Sequence, residues 1–370
     1  MQSQGTQIDF TGQHIYVALD TGNKSWKTCI MTQHLEHATF TQPPDPKVLV
    51  NYLHRNFPGA RYHCVYEAGY QGYWIHRALV HSGVDNLMVN AADVPTMHKE
   101  QRRKSNGVDA RKLCRSLRNG ELTGIYVPSA AACEDRSLLR NRFGFVKKQT
   151  RCKNQIKALL AFYGTTIPEE LLRSHWSRSY ITWLQQIPFQ QPSGQEAFHA
   201  LIDELLFQRQ MIARLTREIR TLALTDPYRA SVRSLQSIAG ISTLSAMTFL
   251  TELFDIHRFR TLDHLASYCG IVPDEHSTGE EQTLTGITHR RNPFLRDVLI
   301  ECAWIAARKD PQLLLAFNKL SARVPKNKAI IRIARKLLNR VRFVLVNQTL
   351  YESSSPHGSR LPGEPCSRAH

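Results

Sequence analysis

Acids are scarce in this sequence relative to bases, cysteines are never closely paired, and no long apolar run occurs. Against 48 Lys and Arg stand only 31 Asp and Glu, a formal net charge of +17 and a pI near 9.7. An excess of that size calls for a polyanionic partner, with nucleic acid ahead of an anionic membrane. No apolar stretch approaches the ~18–20 residues that span a bilayer, and no charged-then-apolar leader opens the chain. The expectation is a cytoplasmic or chromosome-associated protein with no membrane partner. The eight cysteines show no C-x-x-C spacing, so free thiols in a reducing compartment are expected rather than a zinc site. His34-Leu-Glu-His37 has metal-ligand spacing for a helix, yet it falls in a strand-and-turn region without further ligands. With 42% apolar residues in 370, the chain can bury a sizeable core and should divide into two or three units.

What is present begins with His14-Ile-Tyr-Val-Ala-Leu-Asp20, an apolar run that reads as an interior strand ending on a carboxylate. A Gly-containing turn follows, then a return strand over Lys27–Thr32 and a third short strand at Ala38–Gln42. Pro46–Asn56 reads as a helix with Val48, Leu49, Tyr52 and Leu53 on one side. Arg61–Glu67 is a second strand ending on an acid, Tyr73–His81 a helix, and Asn86–Asn90 a last strand. This alternation describes an α/β domain with a mixed sheet. Chemistry in open α/β sheets collects beyond the carboxyl ends of the strands. An acid at one strand end could simply open a turn. Two on adjacent strands, ~4.8 Å apart, can share a divalent cation. Asp109 opens a further helix together with Asn106 three residues earlier, on one helix face, after the basic run Lys99, Arg102, Arg103, Lys104.

From Glu134 the pattern turns helical, with Leu139, Phe143, Val146, Ile156 and Leu159 as its apolar side. Arg136, Arg140, Lys147, Arg151 and Lys157 form a basic stripe, and no acid occurs between Arg136 and Tyr163. Such a stripe is either a solvated face or a phosphate-binding one, and the missing acids favour the second. Trp176–Ile187 reads as a helix and Gln190–Gly194 as a turn. Leu201, Leu205, Gln208, Ile212, Leu215, Ile219 and Leu222 then repeat as a heptad, which packs within the chain or pairs between chains. Self-association is the favoured reading, with Gln208 setting register.

Leu235–Met247 reads as two helices around Gly240, the second capped by Ser242 or Thr243. It could offer backbone N–H groups to a phosphate or serve packing alone. Asp274–Gly279 is expected to be a polar loop. Lys328–Leu350 is an amphipathic helix that buries Ile330, Ala334, Leu337, Val341 and Val344. Lys328, Arg332, Arg335, Lys336, Arg340 and Arg342 are expected outside. Ser353–His370 has the composition of a disordered tail.

Together these segments resemble the IS110/IS1111-type transposases. ALDTGNKSW around Asp20, YEAGYQGYW around Glu67 and KSNGVDARKL around Asp109 are similar to that family's RuvC-like head. SIAGI, YCGIVP, a Ser-x-Gly at Ser277 and GITHRRNPFLR are similar to its C-terminal domain. The resemblance implies an α/β RuvC/RNase H-like metal-binding domain at 1–128 and a helical, coiled-coil region at 129–228. It implies a mainly α C-terminal transposase domain at 229–350, and composition adds the disordered tail at 351–370. It further implies catalysis by Asp20, Glu67, Asp109 and Ser277. The same three acids with Asn106 would bind Mg²⁺, and Ser277 would attack a DNA phosphodiester. Donor and target DNA would be chosen by a bispecific guide non-coding RNA, and a homo-oligomer, dimer or tetramer, would act at the bacterial nucleoid. The family carries four acids, DEDD; Asn106 replaces the third and brings a carbonyl oxygen without charge. Candidate nucleic-acid contacts are Arg102, Arg103, Lys104, Arg140, Lys147, Arg151, Arg290, Arg291, Arg296, Arg332 and Arg335. The rival readings are a metal-dependent RuvC-like nuclease whose tail only binds, and a nucleic-acid-binding remnant impaired by Asn106.

Overall fold

Apolar residues on both sides of β1 (His14–Thr21) place it at the centre of a sheet. The computed structural model describes residues 9–95, 106–278, 281–288 and 290–352. The basic residues Lys99, Arg102, Arg103 and Lys104 and the tail from Ser353 lie outside these. β2 (Trp26–Met31), β3 (Glu36–Gln42), β4 (Arg61–Glu67) and β5 (Asp85–Val89) complete a mixed sheet of order β3-β2-β1-β4-β5. β1, β2 and β3 form an antiparallel meander, while β4 and β5 run parallel to β1 and to each other. Ile15, Val17 and Leu19 point to one face and pack on α1 (Pro46–Asn56) and α2 (Trp74–His81) through Leu49, Leu53, Ile75 and Leu79. Ala18 and Val65 point to the other, under α3 (Asn106–Arg118) and its Ala110, Leu113 and Cys114. Burial on both faces explains why β1 reads as a continuous apolar run.

α1 starts where Asp45 accepts a hydrogen bond from the Lys47 amide at 2.8 Å, with Pro46 in the first turn. Its buried side is Pro46, Leu49, Val50 and Leu53; Val48, expected inside, is exposed. No disulfide joins the seven described cysteines.

The chain divides into two units, Met1–Val127 and Pro128–His370. In the second, α4 (Ala130–Phe162) is 33 residues long, ~50 Å at 1.5 Å per residue. α5 (Arg178–Gln185) follows; its helix starts at Arg178 because Trp176 sits at φ 66°. α6 (Pro192–Leu222) begins inside the expected turn, since proline is suited to a first helical turn. α4 and α6 run antiparallel, tied by Arg142 Nε to Thr216 Oγ1 at 2.7 Å and Cys152 Sγ to the Leu201 carbonyl at 3.1 Å. α6 therefore packs along α4 of its own chain, the within-chain alternative that the heptad allowed. At one end of this arm Ile156, Leu160, Tyr180, Leu184, Phe198 and Ile202 form a small core.

The larger core belongs to α7 (Arg229–Gln236), α8 (Thr243–Leu253), α9 (Leu262–Cys269), α10 (Pro293–Lys309), α11 (Pro311–Ser321) and α12 (Lys326–Asn347). Ser242 caps α8 in a reciprocal capping box with Ser245. Gly240 sits at φ 92°, and a Cβ there would lie 2.7 Å from the Cys302 carbonyl of α10. This hairpin packs on α10, and its cap takes up the Ser242 and Ser245 amides. α12 buries its five expected apolar residues. Its cations are not all outside: Arg340 bonds the buried Asp310 at 2.6 Å, and Arg342 donates to the Arg260 carbonyl at 3.1 Å. Among the described residues no helix is long and apolar enough to cross a membrane.

Candidate active site

Between α9 and α10 the expected loop around Ser277 is a β-hairpin, β6 (Pro273–Thr278) and β7 (Glu281–Ile287). Ser277 pairs with Gln282 near its tip. The residues Thr278, Thr283, Thr285 and Ile287 suit strands, being β-branched.

In the first unit the parallel register of β1 and β4 runs to Leu19 opposite Tyr66. Asp20 and Glu67 are the next residue on each strand, so the two acids leave the sheet side by side. α3 lies across this sheet with Ala110, Leu113 and Cys114 buried, which puts Asp109 of its first turn beside the strand ends. Asp20, Glu67 and Asp109 line one cavity of about 180 Å³, together with Thr21 and the Ala68–Gln71 turn. Burial, and after it the Asp109 charge, raises the Asp20 pKa. Asp20 and Asp109 therefore repel one another in a partly dry site, a state a bound cation would relieve. Their oxygens are hard donors of the kind a divalent ion prefers. Among the described residues no three His, Cys, Asp or Glu are grouped tightly enough to hold an ion as they stand. Asn106 occupies the first position of α3. Gln71, not anticipated from the sequence, lines the cavity and reaches the Gly22 carbonyl at 3.4 Å.

The candidate nucleic-acid contacts separate by environment. Lys147 and Arg151 are exposed on α4, as are Arg290, Arg291 and, on α12, Arg332. Arg140 departs from the expected stripe: its guanidinium makes a bidentate pair with the buried Glu252, Nε at 2.7 Å and Nη2 at 2.8 Å. Glu252 also accepts from Asn292 Nδ2 at 2.8 Å. Arg335 pairs with Asp263. Arg296 is 6% exposed and donates to the backbone carbonyls of Gly270 and Thr288, not outward to solvent. Burial, then the Arg291 charge, lowers its pKa.

Fold and site define a class: an α/β head with carboxylates at its strand ends, followed by a basic helical unit. Residues 17–165 match the sequence profile of the DEDD transposases of IS110, and residues 232–318 that of the transposase IS116/IS110/IS902 family. The chain belongs to the IS110 family of transposases. It is 32% identical over 243 residues to the transposase-like y4qE protein of Sinorhizobium fredii, covering 66% of this chain and 58% of that one. It is 25% identical over 287 residues to the transposase for insertion sequence element IS1111A of Coxiella burnetii, 76% of this chain and 77% of that one. A third relative is the transposase for insertion sequence element IS1533 of Leptospira borgpetersenii, 26% identical over 298 residues. The chain spans 58% of the length of the Sinorhizobium relative.

Proposed function

We propose that this protein is a DNA transposase that cuts and rejoins DNA through Ser277, with Asp20, Glu67 and Asp109 holding Mg²⁺. The observation that carries the reading is one cavity lined by three carboxylates from β1, β4 and α3. The 3-2-1-4-5 strand order supports a RuvC/RNase H-like head over 1–128, with the arm at 129–228 and the serine domain at 229–350. Mg²⁺ there would supply charge stabilisation at a phosphodiester oxygen. Asn106 would add a neutral carbonyl ligand. The Ser277 oxygen forms a bond to phosphorus and gives up its proton, while the P–O bond to the departing strand breaks and that strand leaves as a hydroxyl. The phosphoserine link conserves the bond energy for resealing. Exposed cations such as Lys147, Arg151, Arg290, Arg291 and Arg332 neutralise the backbone of donor and target DNA. A bispecific non-coding RNA chooses both DNAs, and a dimer or tetramer acts at the nucleoid.

The test is denaturing electrophoresis of wild-type protein with DNA carrying the element junction and the RNA that copurifies with it. A covalent protein–DNA adduct is expected, absent from Ser277→Ala. If Ser277→Ala still cleaves, the serine reading fails and the metal-dependent nuclease takes its place.

A further inference from the structure

The chain leaves α9 at Gly270, runs out along β6, returns along β7 and re-enters the helical core at Asn292. The base of this excursion is closed by three contacts. The Thr288 amide donates to the Val272 carbonyl at 3.1 Å, and the Asn292 amide to the Tyr268 carbonyl at 3.0 Å. The third is Arg296, whose Nη2 donates both to the Gly270 carbonyl on the outgoing side and to the Thr288 carbonyl on the returning side.

We infer that Arg296 is a positioning residue: it clasps the base of the β6–β7 hairpin and fixes the direction in which that hairpin presents Ser277. The inference rests on the reading of Ser277 as nucleophile. Arg296 is one helical turn inside α10, which is anchored by Leu295, Leu299, Cys302 and Ala303 in the core. The N-cap of the same helix, Asn292, is held by Glu252, which in turn grips Arg140 of α4. The clasp thus refers the hairpin to α4, α8 and α10 at once. Gly270 makes room for it, because a Cβ there, besides being strained at φ 73°, would overlap the Arg296 guanidinium. At 6% exposure, with Nη2 committed to two carbonyls, Arg296 is badly placed for a phosphate in solvent.

The hairpin is a lever. Ser277 lies five residues out from Val272, ~16 Å at the rise of a strand. A tilt of ~5° at the base moves it by more than 1 Å, and a misplacement of about 1 Å can cost ~10²-fold in rate. Lysine would keep the charge, but its rotatable ammonium lacks the rigid planar geometry that aims both Nη2 hydrogens at the two carbonyls.

The experiment compares wild type, Arg296→Lys and Arg296→Gln as full chains with the copurifying RNA, and a labelled duplex carrying the element junction as the DNA probe. Hydrogen exchange of the 271–288 backbone is expected to speed up in both variants, more in Arg296→Gln. Single-turnover cleavage at saturating duplex should fall by ~10²-fold, with duplex affinity and its salt dependence unchanged. A direct phosphate contact predicts the opposite: a salt slope smaller by about one and normal cleavage at saturation. That result, or unchanged exchange in the hairpin of the milder Arg296→Lys protein, overturns the clasp. A loosened hairpin in a protein whose Ser277→Ala form still cleaves leaves the clasp standing and removes the serine reading.

Discussion

A carboxylate as buried as Glu252, at 1% exposure, is tolerable only with its charge matched and its lone pairs occupied. Arg140 and Asn292 do both. Removing Arg140 strands a buried carboxylate, so Arg140→Ala should lose about 3 kcal/mol in urea unfolding; Arg140 is 39% exposed and can be solvated, so Glu252→Ala should cost less. Arg335 pairs with an Asp263 that is 78% exposed, and Asp263→Ala should cost less than about 1 kcal/mol. The two outcomes separate structural arginines from binding ones. Lys147→Ala and Arg151→Ala should leave stability alone but flatten the salt dependence of DNA binding, each by about one unit of slope. The acid cavity inverts the rule. Burial and the Asp109 charge both disfavour a charged Asp20, so Asp20→Asn should raise the melting temperature of cation-free protein by ~3 °C. It should also abolish the extra stabilisation that Mg²⁺ gives the wild type. An Mg²⁺-induced shift that survives in Asp20→Asn removes that residue from the metal site.

Elements differ in how openly the sequence announces them. β1 and β4 are legible because interior strands are apolar on both faces, and their terminal acids stand out against that background. The α6 heptad is legible as a period, but a period does not name its partner. The partner is α4, whose own apolar positions are interrupted by the basic stripe. Ser277 looks like a loop residue because Asp274, Glu275 and His276 precede it, yet pairing with the threonine-rich β7 makes the segment a strand. Arg296 sits in a basic motif and looks like a phosphate ligand; its burial against two carbonyls depends on the fold of β6 and β7, which no local pattern reveals. Within α6, Gln208 is 5% exposed and its Oε1 has no hydrogen-bond partner among the described residues. A buried acceptor left unsatisfied costs on the order of 1 kcal/mol or more. Gln208→Leu should therefore stabilise the α4–α6 arm by about 1 kcal/mol in thermal unfolding, while a loss of stability would mean the amide has a role in the seam.

For the whole molecule, a charge of +17 opposes the approach of a second copy, and α6 packs along α4 of its own chain. Assembly of the proposed dimer or tetramer then depends on a polyanion to offset that repulsion. Nucleic-acid-free protein should sediment as a smaller species at moderate salt and assemble when junction DNA and its RNA are added. Such coupling has a consequence for the chemistry. Asp20 belongs to Met1–Val127 and Ser277 to Pro128–His370, and the family resemblance implies a site shared between subunits. A shared site would withhold strand cleavage until nucleic acid had gathered the copies, and would guard the host chromosome against a stray monomer. Mixing Asp20→Asn with Ser277→Ala protein, each inactive alone, tests this directly. Mixed assemblies contain some sites in which an intact acid cluster faces an intact serine, so part of the recombination should return on the junction substrate. Light-scattering or labelled-subunit exchange establishes that the two variants have mixed. If they exchange and no activity returns, the acids and the serine work within one chain, and assembly serves DNA pairing rather than building the site.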